Sequence, residues 1–123
     1  KLNVSGPFHS SLMKPAAEKM SAVIAKAAVR DAAVPVAANC DGKLTVKADD
    51  VRRKLVTQID HAVLWEDSMA LLVREGADSF IEVGAGRVLC GLLRRIDKTR
   101  KFGNIEDKKS ADSLLAAPTR HPG

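Results

Sequence analysis

A glycine and two prolines constrain the first thirty residues of this chain more tightly than any other feature. Gly6-Pro7 ends a short apolar run carrying Leu2 and Val4, and beyond it apolar residues recur at Met13, Ala16/Ala17, Met20, Ile24 and Ala27/Ala28. Gaps of three and four predict an amphipathic helix from about Leu12 to Val29. Pro15 is tolerated only within a first helical turn, which sets the start near Ser11 to Lys14. Lys1 to Ser5 reads as a strand, so His9, in Gly6-Pro7-Phe8-His9-Ser10-Ser11, falls in a strand-to-helix connection. Such a loop can hold a side chain rigidly while leaving it accessible. Imidazole is the side chain suited to proton transfer near neutrality, so His9 is a candidate general base; the plainer alternative is a surface or capping histidine.

Later punctuation divides the rest of the chain. Val34 to Cys40, with proline at its second position and Asp41-Gly42 after it, reads as a strand ending in a turn. Asp49 or Asp50 can cap a helix with Val51, Leu55 and Ile59 on one face and Gln58 at its C-terminal end. A further helix is predicted over Trp65 to Arg74, with Met69, Leu72 and Val73 inward and Gly76 as its left-handed cap. Ser79 to Val83 reads as a strand, Gly84-Ala85-Gly86 as a tight turn, and 87–97 as a helix. A glycine turn opening a helix can bind an anion, but Gly-Ala-Gly is too short for a dinucleotide fingerprint, and close backbone packing is the stronger reading. Lys101 to Ile105 is a candidate edge strand, and the polar stretch from Asp107, with His121, reads as a frayed tail. Strands alternating with helices imply an α/β layer arrangement.

Composition narrows the function classes. At 123 residues the chain suffices for one modest domain. Aromatics make up 3% with no tyrosine, so the core is expected to be Ala, Val, Leu and Ile. No apolar stretch approaches the ~18 residues of a membrane span and no signal-peptide pattern opens the chain, so the cytoplasm is the expected location. Cys40 and Cys90 lie far apart with no metal-ligand spacing; we expect no metal, no cofactor, no disulfide, and two buried thiols. The net charge of +5 is spread over Arg52-Arg53-Lys54, Arg94-Arg95, Lys98, Arg100 and Lys101. These are either solvated faces or a surface that steers an anionic partner. Without interleaved aromatics or a reader motif, nucleic acid is the poorer partner.

Gly6 to Ala16 resemble the Gly-Pro-Phe-His-Ser motif, followed by Leu-Met-Lys-Pro-Ala, of the malonyl-CoA:acyl carrier protein transacylases and the acyltransferase domains of fatty acid and polyketide synthases. The likeness continues through Val34-Pro35-Val36-Ala37-Ala38-Asn39, Leu55-Val56-Thr57-Gln58 with Val63-Leu64-Trp65, and Phe80-Ile81-Glu82-Val83-Gly84-Ala85-Gly86-Arg87-Val88-Leu89. The resemblance implies the C-terminal part of an α/β-hydrolase-like acyltransferase core. In that division, 1–5 end an inserted ferredoxin-like subdomain, 6–106 belong to the large subdomain, and 107–123 are a polar tail. Phe8 resembles the type associated with malonyl rather than branched substrates. Two departures touch backbone-shaping positions: His61-Ala62 stands where the family has proline, and Ala85 replaces the proline of a Gly-Pro-Gly turn. His61 itself is expected to be a surface residue.

The chemistry implied is ping-pong acyl transfer, in which a serine takes malonyl from CoA and passes it to the carrier's phosphopantetheine thiol. His9 would be the base, and the main-chain carbonyl of Gln58 would hold its other ring nitrogen, unless Gln58 is merely a polar helix-end residue. Malonyl-CoA is then a substrate, and acyl carrier protein and the missing N-terminal portion of the enzyme are the partners. A nucleophile elbow needs Gly-x-Ser-x-Gly, and none of the eight serines has glycine on both sides. The isolated chain is therefore expected to be inactive. Three other readings stay open: a polyketide synthase acyltransferase segment, a non-catalytic module binding an acidic carrier through its basic helices, and a truncated product without function.

Overall fold

The structure, a computed structural model, describes residues 6–116. The strand expected over 1–5, with the ferredoxin-like boundary read into it, and His121 lie outside the described residues. The chain divides into two compact units between Leu72 and Val73.

In the first unit a 3-10 turn, Ser11–Met13, leads into α1, Lys14–Lys26, with Pro15 in its first turn as the sequence predicts. The helix ends three residues before Val29. Arg52 supplies the reason: its Nη1 donates to the carbonyls of Ile24 (2.9 Å) and Ala27 (2.7 Å), and its Nη2 to that of Val29 (3.4 Å). A helix leaves its last carbonyls without intrahelical partners, and here one guanidinium takes that of Ile24 and two just beyond the helix while the chain turns extended at Ala27.

The expected strand over Val34 to Cys40 shortens to β1, Val36–Ala38, which pairs antiparallel with β2, Lys43–Thr45, in the register Val36↔Thr45 to Ala38↔Lys43. Gly42, at φ 61°, closes the turn between them in the left-handed region. Next comes α2, Ala48–Thr57. Its cap is not Asp49 or Asp50, which lie inside the first turn, where carboxylates suit the helix dipole. Asp31 does that work from outside, accepting from the Ala48 amide and from Lys47 Nζ, each at 2.8 Å. The Lys47 bond, then the Ala48 amide, holds its carboxyl below the usual range. The helix α3, Trp65–Arg74, has the predicted bounds, with Met69 and Ser68 buried and Gly76 at φ 97° beyond its end.

The second unit is a strand–helix–strand crossover. Strand β3, Ser79–Val83, pairs in parallel with β4, Lys101–Ile105, from Ser79↔Lys101 to Val83↔Ile105, and α4, Val88–Ile96, makes the connection a parallel pair requires. Cys90 and Leu93 are its buried residues. The frayed tail expected from Asp107 is instead, over Lys108–Ala116, a helix, α5. Asp107 Oδ1 accepts from the Ser110 amide (2.7 Å) and Ser110 Oγ accepts from the Asp107 amide (3.0 Å), a reciprocal cap. Leu114 then packs on Gly103, where an added Cβ would lie 3.3 Å from Leu114 Cδ1.

The core is thin: among the described residues Ala17, Ala38, Met69, Cys90 and Leu93 are the buried hydrophobic ones, and no Val or Ile joins them, contrary to the composition-based expectation. Val34, Val83 and Val88 are all more than two-thirds exposed. No described helix is long and apolar enough to cross a membrane.

With so little apolar burial, polar ties carry an unusual share of the stability. Replacing Arg52 by methionine keeps the stem and removes three bonds to carbonyls, and should cost about 2 kcal/mol. Urea unfolding measures this; an unchanged midpoint would contradict the role given to Arg52.

Candidate active site

His9 is exposed and has a φ of 57°, making it the one non-glycine residue with positive φ among those described. Ser10 Oγ donates to the Pro7 carbonyl (2.7 Å) and the Met13 amide to the Ser10 carbonyl (2.9 Å), so the loop is closed on both sides of the histidine. A left-handed backbone costs a residue with a Cβ about 1 kcal/mol, and such strain tends to persist where it sets up a site.

The ring reaches the end of α2. Gln58, the residue capping that helix, donates its amide to the Lys54 carbonyl (3.0 Å), while its own carbonyl belongs to the group a helix cannot pair internally. His9 Nδ1 lies 2.8 Å from that oxygen. A carbonyl can only accept, so Nδ1 carries the proton and Nε2 of the neutral ring keeps its lone pair. The two residues singled out in the sequence are therefore in direct contact, through the main-chain atom expected. His61 finishes the same helix end: its Nδ1 lies 2.8 Å from the Thr57 carbonyl and 2.7 Å from Asp60 Oδ1, and its ring is exposed.

Two further features of the sequence resolve differently. The Arg52-Arg53-Lys54 cluster is not a free basic face. Arg52 closes α1, Arg53 pairs with Asp50 (2.7 Å), and Lys54, 6% exposed, pairs with Asp41 at 3.1 Å. In the second cluster Arg94 lies over the Phe102 ring at 5.1 Å and Arg100 pairs with Asp97 (2.7 Å). Thr99, then Arg100, brings the Asp97 carboxyl down to about 2. Arg95 and Lys98 make no ion pair among the described residues.

At the glycine turn the anion seat is filled by the protein itself. Glu82 accepts from the amides of Cys90 (2.9 Å) and Leu89 (3.1 Å) in the first turn of α4, and Glu106 accepts from the Gly86 amide (3.3 Å). The Cys90 amide is the main reason the Glu82 carboxyl lies below its ordinary 4.5, burial opposing it. Asn104 Nδ2 straps the turn by donating to the carbonyls of Gly86 (2.7 Å), Glu82 (3.3 Å) and Gly84 (3.4 Å). The thiols of Cys40 and Cys90 are free, the first half-buried and the second buried, and burial pushes the Cys90 thiol up. No group of three metal-binding side chains occurs among the described residues.

No family model matches the chain. It is 40% identical over 114 residues to the malonyl CoA-acyl carrier protein transacylase of Bacillus subtilis, covering 93% of this chain and 36% of that protein. Its structure matches the transacylase of the same name from Clostridium perfringens with a TM-score of 0.85 at 34% identity, over 94% of this chain and 37% of that one. It also matches a malonyl-transacylase solved in complex with a type II PKS acyl-carrier protein, with a TM-score of 0.86 at 34% identity, over 95% of this chain and 38% of that one. Its homologues are malonyl CoA-acyl carrier protein transacylases. The chain spans little more than a third of the length of the relatives it matches.

Against that family background, the mixed helices and strands agree with an α/β acyltransferase architecture. One polar neighbour of the site escaped the sequence reading. Asn39 Nδ2 donates to Gln58 Oε1 at 3.0 Å. Asn39 ends the segment Val34-Pro35-Val36-Ala37-Ala38-Asn39 that carries part of the transacylase resemblance, and an asparagine beside a turn gives no sign of which distant group it will meet.

Because His9 pays for its φ, His9→Gly should be more stable than His9→Ala by about 1 kcal/mol, both having lost the ring. Equal stabilities by denaturant titration would argue against strain at this position. Glu82→Gln should lower the melting temperature at neutral pH. A carboxyl held below its ordinary value stabilises the fold above that value, and the contribution is lost as pH falls through the folded one. The gap to the parent chain should therefore close as pH drops below 4.5. A gap independent of pH would contradict the cap.

Proposed function

We propose that this chain is the histidine-bearing part of a malonyl-CoA:acyl carrier protein transacylase and that His9 is its general base. The observation that carries this is the 2.8 Å contact between His9 Nδ1 and the Gln58 carbonyl in a chain whose homologues are transacylases. Nε2 is left to take the proton of a serine hydroxyl. As that proton leaves, the oxygen attacks the thioester carbonyl of malonyl-CoA, and the imidazolium returns the proton to the departing CoA sulfur. In the second half-reaction Nε2 takes the proton of the carrier's thiol, the sulfur attacks the malonyl-serine ester, and the proton passes to the serine oxygen. A neutral carbonyl behind the ring fixes its tautomer and direction without adding a buried charge.

The serine belongs to residues outside these 123, in keeping with the lack of a Gly-x-Ser-x-Gly elbow and with coverage of about a third of the relatives. The finer assignment, to the C-terminal part of a hydrolase-like core bordered before Gly6 by a ferredoxin-like subdomain, is part of the same proposal, as is a cytoplasmic location. So is the acidic carrier, for which Arg95 and Lys98 remain as solvated cations; a relative's complex with a carrier protein supports it. A purely carrier-binding role through the basic helices loses Arg52 and Lys54, which are engaged internally, and keeps Arg53, whose pair with Asp50 lies on the surface.

The test replaces the aligned segment of the Bacillus subtilis enzyme with this chain and follows malonyl transfer to carrier protein. The hybrid should be active and His9→Ala should lower its rate by about 10³-fold, whereas Gln58→Ala, which keeps the carbonyl, should stay within about tenfold. A His9→Ala hybrid as fast as its parent would overturn the assignment. The 123-residue chain alone should give no transfer.

A further inference from the structure

We propose that Asn39 is a positioning residue for His9, acting through the side chain of Gln58. The last turn of a helix frays unless something outside holds it, and the carbonyl that fixes the His9 ring lies in such a turn. Two polar ties from the β1–β2 turn hold this one. Asn39 Nδ2 donates to Gln58 Oε1 at 3.0 Å, and Asp41 Oδ2 pairs with Lys54 Nζ at 3.1 Å. Lys54 and Gln58 are four residues apart, hence on one face of α2, and Asn39 and Asp41 are two apart in the turn. The four residues thus form a two-point clamp that resists both unwinding and rotation of the helix end.

Asn39 also has an anchor of its own. Its carbonyl accepts from the Leu64 amide at 2.8 Å, tying it to the segment that enters α3. Asn39 is half-buried and Lys54 is 6% exposed, so water competes weakly for these bonds. The chain of contact runs from the Asn39 amide to the Gln58 side chain, from Gln58 to its own carbonyl, and from that oxygen to Nδ1 of His9. Asn39's part in catalysis rests on His9 being the base; its hold on the ring does not.

The test reads the His9 ring in the full chain by nitrogen-15 NMR: which nitrogen of the neutral ring carries the proton, and how fast that proton exchanges with water. Amide fingerprints confirm that each variant folds. Asn39→Leu, which a cavity of about 70 Å³ lined by Ala38, Asn39, Leu55 and Gln58 can accommodate, should speed Nδ1 proton exchange by about tenfold and weaken the preference for Nδ1. Asn39→Asp should leave the ring as it is, because the Gln58 amide can turn its NH2 toward the new carboxylate. Gln58→Glu should do the same, with Asn39 still donating. The double variant Asn39→Asp/Gln58→Glu sets two acceptors against each other and should reproduce the loss, a coupling neither single change predicts.

An unaltered His9 ring in folded Asn39→Leu, or in the folded double variant, would overturn the proposal. So would an Asn39→Asp variant as perturbed as Asn39→Leu. If Asn39→Leu does not fold, the double variant against its two singles decides. The readout needs no turnover: a hybrid enzyme indifferent to His9→Ala would sink the transacylase reading and leave this one standing.

Discussion

The end of α2 is the constraint on which the site depends. A helix must leave its final carbonyls unpaired, and a carbonyl, which can only accept, fixes an imidazole's tautomer without bringing a charge. Here two of those carbonyls each meet an imidazole, Thr57 with His61 and Gln58 with His9. The first closes the helix; the second also aims an exposed ring whose far nitrogen is left with its lone pair. What would be a defect of the helix becomes the support of the candidate base.

The rest of the first unit can be understood as the means of holding α2 still. Asp31 caps its start, Arg52 reaches from its first half to the end of α1, and Lys54 and Gln58 fasten its second half to the hairpin turn. These are mostly polar ties over a thin apolar core, which explains how a site is defined to within a hydrogen bond's length with so few buried apolar side chains among the described residues. The second unit follows the same economy. Glu82 and Glu106 fill the amide seat at the start of α4, and Asn104 straps the glycine turn, so a feature that in other chains receives a phosphate is closed internally.

Features governed by local sequence were readable before any coordinates. Pro15 fixed the start of α1, Gly76 the cap beyond α3, and the apolar Phe80, Ile81 and Val83 before a glycine turn the strand β3. The contact of His9 with Gln58 was reachable through family likeness alone, since no periodicity links residues so far apart. Long-range polar contacts were beyond reach: nothing local marks Asp31 as the cap of α2, Asn39 as a partner of Gln58, or Arg52 and Lys54 as internal ties. The helix α5 was missed for a different reason. Its polar composition resembles a tail, and the signal lay in the Asp107–Ser110 spacing of a reciprocal cap and in Leu114, which needs Gly103 beneath it.

The most direct measurement of the central claim is the pair of nitrogen-15 chemical shifts of the His9 ring in the parent chain, taken at a pH where the ring is neutral. The account requires a protonated Nδ1, slow to exchange and coupled to the Gln58 carbonyl, and an Nε2 with the shift of a free lone pair. A ring protonated at Nε2, or one averaging between the two forms as free histidine does, would contradict it.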